Sequence, residues 1–400
     1  MNNIIEKIPK MLSGDELTKH LNNLPKYNKN IIEEDKATRL IELDNIYNIY
    51  IASEMTIEIY NKIYLSILKS LKKKNTRESV LQQTANYKKI LGENENGIIG
   101  GSDSFTIIGA PGIGKSSAII KSIKVATNNE IIETKTQLII PCLIVQCPFD
   151  CSAKGLLFEI LRKIDELLGS DYYNNVKGKS TTTDILIGCV SQVMLNHVGL
   201  LIVDEIQNIV KHKNGQSLIG LLTQLINNSG ISICMVGTPE STLFFEKEDY
   251  LARRAIGLRY NHLEYNDYFK QFCKIIYSYQ YVKNKTEIST EEIEWLYENS
   301  AGILANIITL IHDAQEIAII NDYETLDLKS LKEAYKKRLE MMHISINSQK
   351  SNVKKRNKKK EREILLQGDS IYEIVMNAKS NNDDVVEVLK KHIRIEEIKI

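Results

Sequence analysis

One stretch in the first third of the chain constrains its fold more than any other. The segment 105–120 reads FTIIGAPGIGKSSAII and contains the pattern G-x-x-x-x-G-K-[ST] from Gly109 to Ser116. An apolar run with strand character precedes the pattern and an amphipathic helix pattern follows it, which is the context that a phosphate-binding loop (P-loop) requires. Its glycines let successive backbone N–H groups face phosphate oxygens, and the helix adds the positive end of its dipole.

We therefore predict that this loop binds the phosphates of a nucleoside triphosphate. Lys115 is placed to reach the β- and γ-phosphates, and the hydroxyl of Ser116 is placed to ligate Mg²⁺. The alternative is a glycine-rich turn that binds nothing, which the agreement of the flanking strand and helix patterns disfavours. The predicted phosphate-binding residues are Gly109, Ala110, Pro111, Gly112, Ile113, Gly114, Lys115, Ser116 and Ser117.

A second apolar run ends in two adjacent acids. Residues 199–205 read GLLIVDE and lie about 90 residues downstream of the P-loop. In doubly wound α/β folds the carboxyl ends of the strands face the ligand. Asp204 is therefore predicted to hold Mg²⁺, directly or through water, and Glu205 to polarise the water that attacks the γ-phosphorus in line.

Two further positions extend the predicted site. The strand pattern ISICMVG at 231–237 is followed by Thr238, which we expect to lie between the two acids and the γ-phosphate. The alternative for Thr238 is a strand-terminal residue that caps a turn. Arg253 and Arg254 follow that strand, and either can stabilise transition-state charge at a neighbouring subunit's γ-phosphate, whereas the alternative is a surface ion pair.

Composition limits the classes of partner. With 52 Lys and Arg against 51 Asp and Glu, the formal net charge is +1, so nucleic-acid binding must depend on local patches. The N-terminus lacks an apolar signal core, and no uncharged apolar run reaches the roughly 18 residues of a membrane span. We expect a cytoplasmic protein with no membrane partner.

The order of the patterns predicts an α/β fold with a parallel sheet flanked by helices, followed by a small helical lid. Helical spacing from Asp35 to Leu71 predicts a helical N-terminal extension, which is either a cap on the main domain or a docking surface for a partner. Lys350 to Arg362 holds eight basic residues, which are either a solvated linker or a contact with DNA phosphates. The predicted divisions are 1–97 (N-terminal extension), 98–262 (ATPase core), 263–345 (lid) and 346–400 (basic linker and partner-binding tail).

The sequence of parts resembles the AAA+ ATPases, and the middle of the chain resembles the TnsC/TniB group of transposition regulators. The resemblance covers about residues 100–320, and the DEIQN and arginine segments carry it most strongly. The matching segments are LIVQCP at 143–148, SAKGL at 152–156, DELLG at 165–169, DEIQN at 204–208, GTPE at 237–240 and ARR at 252–254.

The resemblance implies a bacterial, ATP-dependent and Mg²⁺-dependent regulator that forms a ring or filament of identical subunits on target DNA. It implies that the protein links a target-selector protein of the TnsD/TniQ type to transposase subunits, without nuclease or transposase activity of its own. By position, Asp204 and Glu205 match the family's acids, Thr238 its sensor residue, and Arg253 or Arg254 its inter-subunit arginine. Sequence-independent contacts with the backbone of double-stranded DNA are expected from Lys154, Lys177, Lys179 and Thr182.

One departure from the family pattern changes the expected rate. Many AAA+ relatives carry an arginine at the start of the lid helix that begins here with GILAN at 302–306, and this sequence has none there. We therefore expect slow, partner-stimulated hydrolysis. The competing hypothesis is a signalling ATPase of the AAA+/STAND type, which would form nucleotide-dependent oligomers that ignore DNA, although the repeat arrays typical of such switches are missing from the sequence.

Overall fold

A computed structural model describes residues 4–74, 76–93, 99, 104–134, 137–178, 181–208, 215–242 and 257–339. Within these ranges, four short 3₁₀ segments span Ile4–Lys7, Lys29–Glu33, Asp44–Asn48 and Pro239–Ser241, and a π-helical turn spans Tyr335–Leu339. The strands are β1 Phe105–Gly109, β2 Ile132–Glu133, β3 Leu138–Gln146, β4 Val198–Asp204, β5 Ser232–Gly237 and β6 Leu258–Tyr260. The α-helices are α1 Gly14–Leu21, α2 Lys36–Leu43, α3 Glu54–Lys74, α4 Arg77–Ile90, α5 Lys115–Thr127, α6 Ala153–Leu168, α7 Tyr172–Val176, α8 Thr183–His197, α9 Gly215–Ser229, α10 Asp267–Ser278, α11 Thr290–Ser300, α12 Leu304–Ile320 and α13 Leu328–Ala334.

The six described strands form one sheet in the order β2-β3-β4-β5-β1-β6. Every neighbouring pair is parallel except β2 with β3, so the predicted parallel sheet is confirmed with one short antiparallel edge strand. All residues of β1 and β5 are buried, as expected for strands that are covered by helices on both faces. No helix in the described ranges is long and apolar enough to cross a bilayer.

Helices from different parts of the chain cover the two faces of the sheet. Helices α6, α8 and α9 pack on one face. On the other face α5 lies beside α3, whose residues Ile59, Ile63 and Ile67 recur every four positions and are at most 1% exposed. A helix of the N-terminal extension is therefore an integral layer of the α/β core.

The predicted continuous helix from Asp35 to Leu71 is interrupted. The chain forms α2, then the 3₁₀ turn Asp44–Asn48, and only then α3. Reciprocal hydrogen bonds between Ser53 and Thr56 cap the start of α3, and such capping competes with helix continuation. The polar segment that follows α6 contains a short helix, α7, because Tyr172 and Tyr173 pack against the apolar core.

Residues 27–51, which precede α3, pack on the lid, whereas Ile4 and Ile8 lie in the cluster that covers the sheet. Ile31, Leu43 and Ile46 are buried in one apolar cluster with residues of α10, α11, α12 and α13. Ser289 and Glu292 form a capping box at the start of α11. The N-terminal extension thus contacts the lid with residues 27–51 and the sheet with α3 and with Ile4 and Ile8.

A buried ion pair joins the N-terminal extension to the lid. The two terminal guanidinium nitrogens of Arg39 each donate to a carboxylate oxygen of Glu324 at 2.7 Å, and one of them also donates to the carbonyl of Tyr281 at 3.0 Å. The Arg39 side chain is 1% exposed. Hydrogen bonding from Arg39 holds the pKa of Glu324 below its ordinary value. Such a pair tolerates the loss of one partner poorly, because the other charge is then left buried alone.

We expect Glu324→Ala to lower the free energy of unfolding by about 3–5 kcal/mol, measured by urea denaturation. The matched control is Lys36→Ala, which removes the exposed Lys36–Asp322 pair at the same interface and should cost at most about 1 kcal/mol. Because the pKa of Glu324 is lowered in the fold, its contribution is present above the ordinary glutamate pKa. The contribution is lost as the pH falls through the lowered value. Equal costs for the two variants would contradict the assignment.

Candidate nucleotide site

The P-loop lies between β1 and α5, with Gly112 and Gly114 in left-handed conformations at φ 77° and 93°. Side chains rarely adopt this geometry, so glycine is needed there to curl the loop. Gly114 is the N-cap residue of α5, and no described side chain caps the helix. The first N–H groups of α5 are therefore available to an anion.

The side chain of Lys115 folds back over the loop. Its ammonium group donates to the carbonyl oxygens of Gly109 at 2.7 Å and Ala110 at 2.9 Å. Burial lowers the pKa of Lys115, and the negative charges of Asp204 and Glu205 oppose that shift. The structure thus brings the lysine and the two acids within electrostatic range of one another.

The sheet order explains why these residues meet. Strand β5 lies between β1 and β4, with Gly237 opposite Ile108 and Met235 opposite Val203. The P-loop, the acids and Thr238 each follow one of these three parallel strands, so they lie at the same edge of the sheet. The hydroxyl oxygen of Thr238 is buried and has no hydrogen-bond partner in the described structure, so it is free to bond to a ligand at this edge.

The turn after β4 holds the two acids in a fixed backbone conformation. Glu205 is left-handed at φ 59°, and its N–H donates to a carboxylate oxygen of Asp204 at 2.8 Å. The N–H of Ile206 donates to the carbonyl of Val236 in β5 at 3.0 Å. The turn is thereby fastened to the strand that carries Thr238.

Gln207 follows this turn and was not among the predicted site residues. Its amide nitrogen donates to the carboxylate of Glu205, and its amide oxygen accepts from the N–H of Thr238 at 3.3 Å. The signal was present as the glutamine of the DEIQN segment, but the pattern gave no side-chain direction.

The lid touches the P-loop at the start of α12. The N–H of Ala305 donates to the carbonyl of Gly112 at 3.2 Å. A Cβ on Gly112 would lie 2.8 Å from a methyl carbon of Ile303, so the lid also fits closely against this glycine. The lid therefore meets the loop through backbone and apolar contacts at the position where the sequence lacks an arginine.

Two of the basic candidates lie near a further cation, Arg162. Lys154 is in the first turn of α6, and Phe158 and Arg162 follow on the same face at four-residue spacing. Arg162 and Lys177 both lie over the ring of Tyr173, at 4.7 and 5.2 Å from its centroid. We call Lys154, Arg162 and Lys177 the basic strip. Arg162 was missed, although its spacing from Lys154 could have identified it.

The remaining candidates divide into two groups. The hydroxyl of Thr182 accepts a hydrogen bond from the N–H of Ile185 and caps α8, so this residue has a structural role of its own. Lys179, Arg253 and Arg254 lie outside the described residues, as does the predicted tail 346–400. Their roles stay predictions.

Comparisons with known proteins bear on the core. Residues 100–261 match the family model described as bacterial TniB protein. No curated protein matches the sequence. The DNA-bound Aeropyrum pernix ORC1 protein is similar at 14% identity and a TM-score of 0.43, over 80% of this chain and 78% of that chain. Drosophila ORC bound to DNA is similar at 11% identity and a TM-score of 0.46, over 97% of this chain and 83% of that chain. The Thermotoga maritima RuvB branch migration motor is similar at 14% and 0.33, over 65% and 67%.

The family match begins just before β1 and ends just after β6, so it spans the P-loop, the acid strand and Thr238. The strands β1, β4, β5 and β6 and the left-handed glycines of the loop all lie inside this segment. Residues 100–261 of this chain are therefore similar to the bacterial TniB protein family.

Proposed function

We propose that this protein is an ATP-dependent regulator of DNA transposition that assembles on double-stranded DNA. One observation carries the proposal. The P-loop, the paired acids and Thr238 meet at one edge of the sheet, inside the segment that matches the TniB family. ATP is hydrolysed at this edge in our scheme, and the bound nucleotide controls assembly of the protein on DNA.

The residues present fit ATP with Mg²⁺. The uncapped start of α5 and the left-handed glycines offer N–H groups to phosphates, and the unpartnered hydroxyl of Thr238 offers a further hydrogen bond. Bound ATP supplies the phosphoanhydride bond, and Mg²⁺ the charge that neutralises its oxygens. In this assignment Lys115 would donate to phosphate oxygens in place of its loop carbonyls, Ser116 and Asp204 would hold the metal, and Glu205 would accept a proton from the attacking water.

The site is proposed to be completed by a second copy of the chain. Arg253 and Arg254 follow β5 in sequence, and an arginine supplied across a subunit boundary can stabilise the charge that develops on the γ-phosphate. Hydrolysis would then require assembly. The lid contact supports the expected low basal rate, since Ile303 and Ala305 meet the P-loop without offering a charge to the γ-phosphate.

Contacts with DNA are assigned to the basic strip, together with Lys179 and Thr182. Lys177, which follows α7, and Arg162 of α6 lie over the same ring of Tyr173, and Lys154 lies eight residues before Arg162 in α6. A group of cations suits the phosphates of a duplex and reads no bases, so binding should be independent of sequence. The target-selector protein of the TnsD/TniQ type and the transposase subunits are proposed partners of the N-terminal and C-terminal flanks.

Two variants separate nucleotide binding from hydrolysis. Lys115→Ala should weaken ATP binding by about 100-fold, because a hydrogen bond to a charged group contributes about 1.5–3 kcal/mol, and DNA assembly should be lost with it. Glu205→Gln should keep assembly while lowering the hydrolysis rate by about 10²–10⁴-fold. Fluorescent-nucleotide titration measures ATP binding, and phosphate release measures hydrolysis. Electron microscopy on duplex DNA measures assembly.

Two outcomes would contradict this scheme. If Glu205→Gln abolishes nucleotide binding, the roles of the acids are wrong. If the wild-type protein forms nucleotide-dependent oligomers that ignore duplex DNA, the signalling-ATPase hypothesis replaces transposition control.

The basic strip makes a separate prediction about salt. Lys154→Ala and Lys177→Ala should each reduce the slope of log Kobs against log salt concentration by about 0.9, the value for one lost phosphate contact. The exposed lid residue Lys329 provides the control, and Lys329→Ala should leave the slope unchanged. Slopes from fluorescence anisotropy on duplexes of two unrelated sequences test both the contact and its sequence independence. Unchanged slopes for both strip variants would place the DNA elsewhere.

A further inference from the structure

The side chain of Gln207 spans the ends of two neighbouring strands. Its amide nitrogen donates to a carboxylate oxygen of Glu205, one residue past β4. Its amide oxygen accepts from the N–H of Thr238, one residue past β5, at 3.3 Å. A single half-buried side chain therefore connects the acid assigned to water activation with the strand end that carries the predicted sensor.

The direction of the Gln207 amide follows from its partners. A backbone N–H can only donate, so Thr238 selects the oxygen end of the amide. The nitrogen end is thereby turned toward Glu205, whose ionised carboxylate can only accept. Both hydrogen bonds require the same orientation of the Gln207 amide, and a reversed amide would lose both.

The surroundings leave little freedom for a different arrangement. A Cβ on Gly237 would lie 2.6 Å from a methyl carbon of Ile206 and 3.1 Å from the amide oxygen of Gln207, so the glycine makes room for this side chain. The backbone of the turn is already fastened to β5 through Ile206. The carboxylate of Glu205 is not fixed in the way that the backbone of the turn is. The residue is exposed, so its side chain is free to rotate unless a hydrogen bond holds it.

We propose that Gln207 is a positioning residue for ATP hydrolysis, which holds the carboxylate of Glu205 and couples its direction to the strand end at Thr238. The inference rests on the proposed role of Glu205. A displacement of Thr238 when its hydroxyl gains a partner moves the amide oxygen of Gln207, and the amide nitrogen then moves the carboxylate. Gln207 acts only through Glu205 and touches no reacting atom.

The test is a double-mutant cycle on kcat. Gln207→Ala should lower kcat by about 10–100-fold, the effect of losing a hydrogen bond to a charged group, and should change the Kd for ATP by less than about twofold. Gln207→Glu retains an acceptor for Thr238 but turns a second carboxylate toward Glu205. Gln207→Glu should lower kcat at least as much as Gln207→Ala. Because glutamate is nearly isosteric with glutamine, this variant can be used for the test if the alanine variant is unstable.

Epistasis distinguishes positioning from a general structural role. In the Glu205→Gln background, Gln207→Ala should produce no further loss of kcat, whereas damage to the fold would lower the residual rate again. Asn208→Ala is the matched control, because that side chain donates to the carbonyl of Cys147 in the opposite direction along the sheet, and kcat should stay within twofold.

These measurements distinguish a failure of the proposed function from a failure of the Gln207 inference alone. If the wild-type protein hydrolyses no ATP, or Glu205→Gln is as active as wild type, the proposed function fails and this inference with it. If hydrolysis depends on Glu205 but both Gln207 variants keep the wild-type kcat, or if the two losses multiply, the inference alone is overturned.

Discussion

The parallel pairing of β5 between β1 and β4 is the interaction on which the site depends. Its hydrogen bonds fix the register of three strands, and the residues that follow them therefore share one edge of the sheet. Lys115, Asp204 and Thr238 are far apart along the chain and converge only through this register. The same pairing brings the turn after β4 against β5, where Ile206 and Gln207 bond to it.

Much of this arrangement was predictable from local patterns. The P-loop carries its own strand and helix context, and an apolar run that ends in two acids identifies the neighbouring strand end without any tertiary information. The caps at Ser152, Thr182 and Ser289 were likewise readable, because a capping side chain bonds within its own first turn. These features share short sequence separations between the groups that interact.

The features that sequence reasoning missed depend on distant partners or on side-chain direction. The pair of Arg39 with Glu324 joins residues 285 positions apart, and nothing in either local sequence indicates the other. The break between α2 and α3 arises because the preceding segment finds its apolar partners on the lid while α3 finds them on the sheet. Gln207 and Arg162 belong to the second kind, since their importance lies in where the amide and the guanidinium point.

The attachment of the N-terminal extension at both ends has a mechanical consequence. The 3₁₀ turn Asp44–Asn48 is packed into the lid cluster and α3 into the sheet, so only the five residues 49–53 connect the two anchor points. A fully extended chain spans at most about 3.3–3.6 Å per residue, which limits this connection to roughly 17 Å. This short connection consequently limits how far the lid can lie from the sheet. A wide opening of the lid would first require the buried pair of Arg39 with Glu324, or the packing of α3 on the sheet, to be broken.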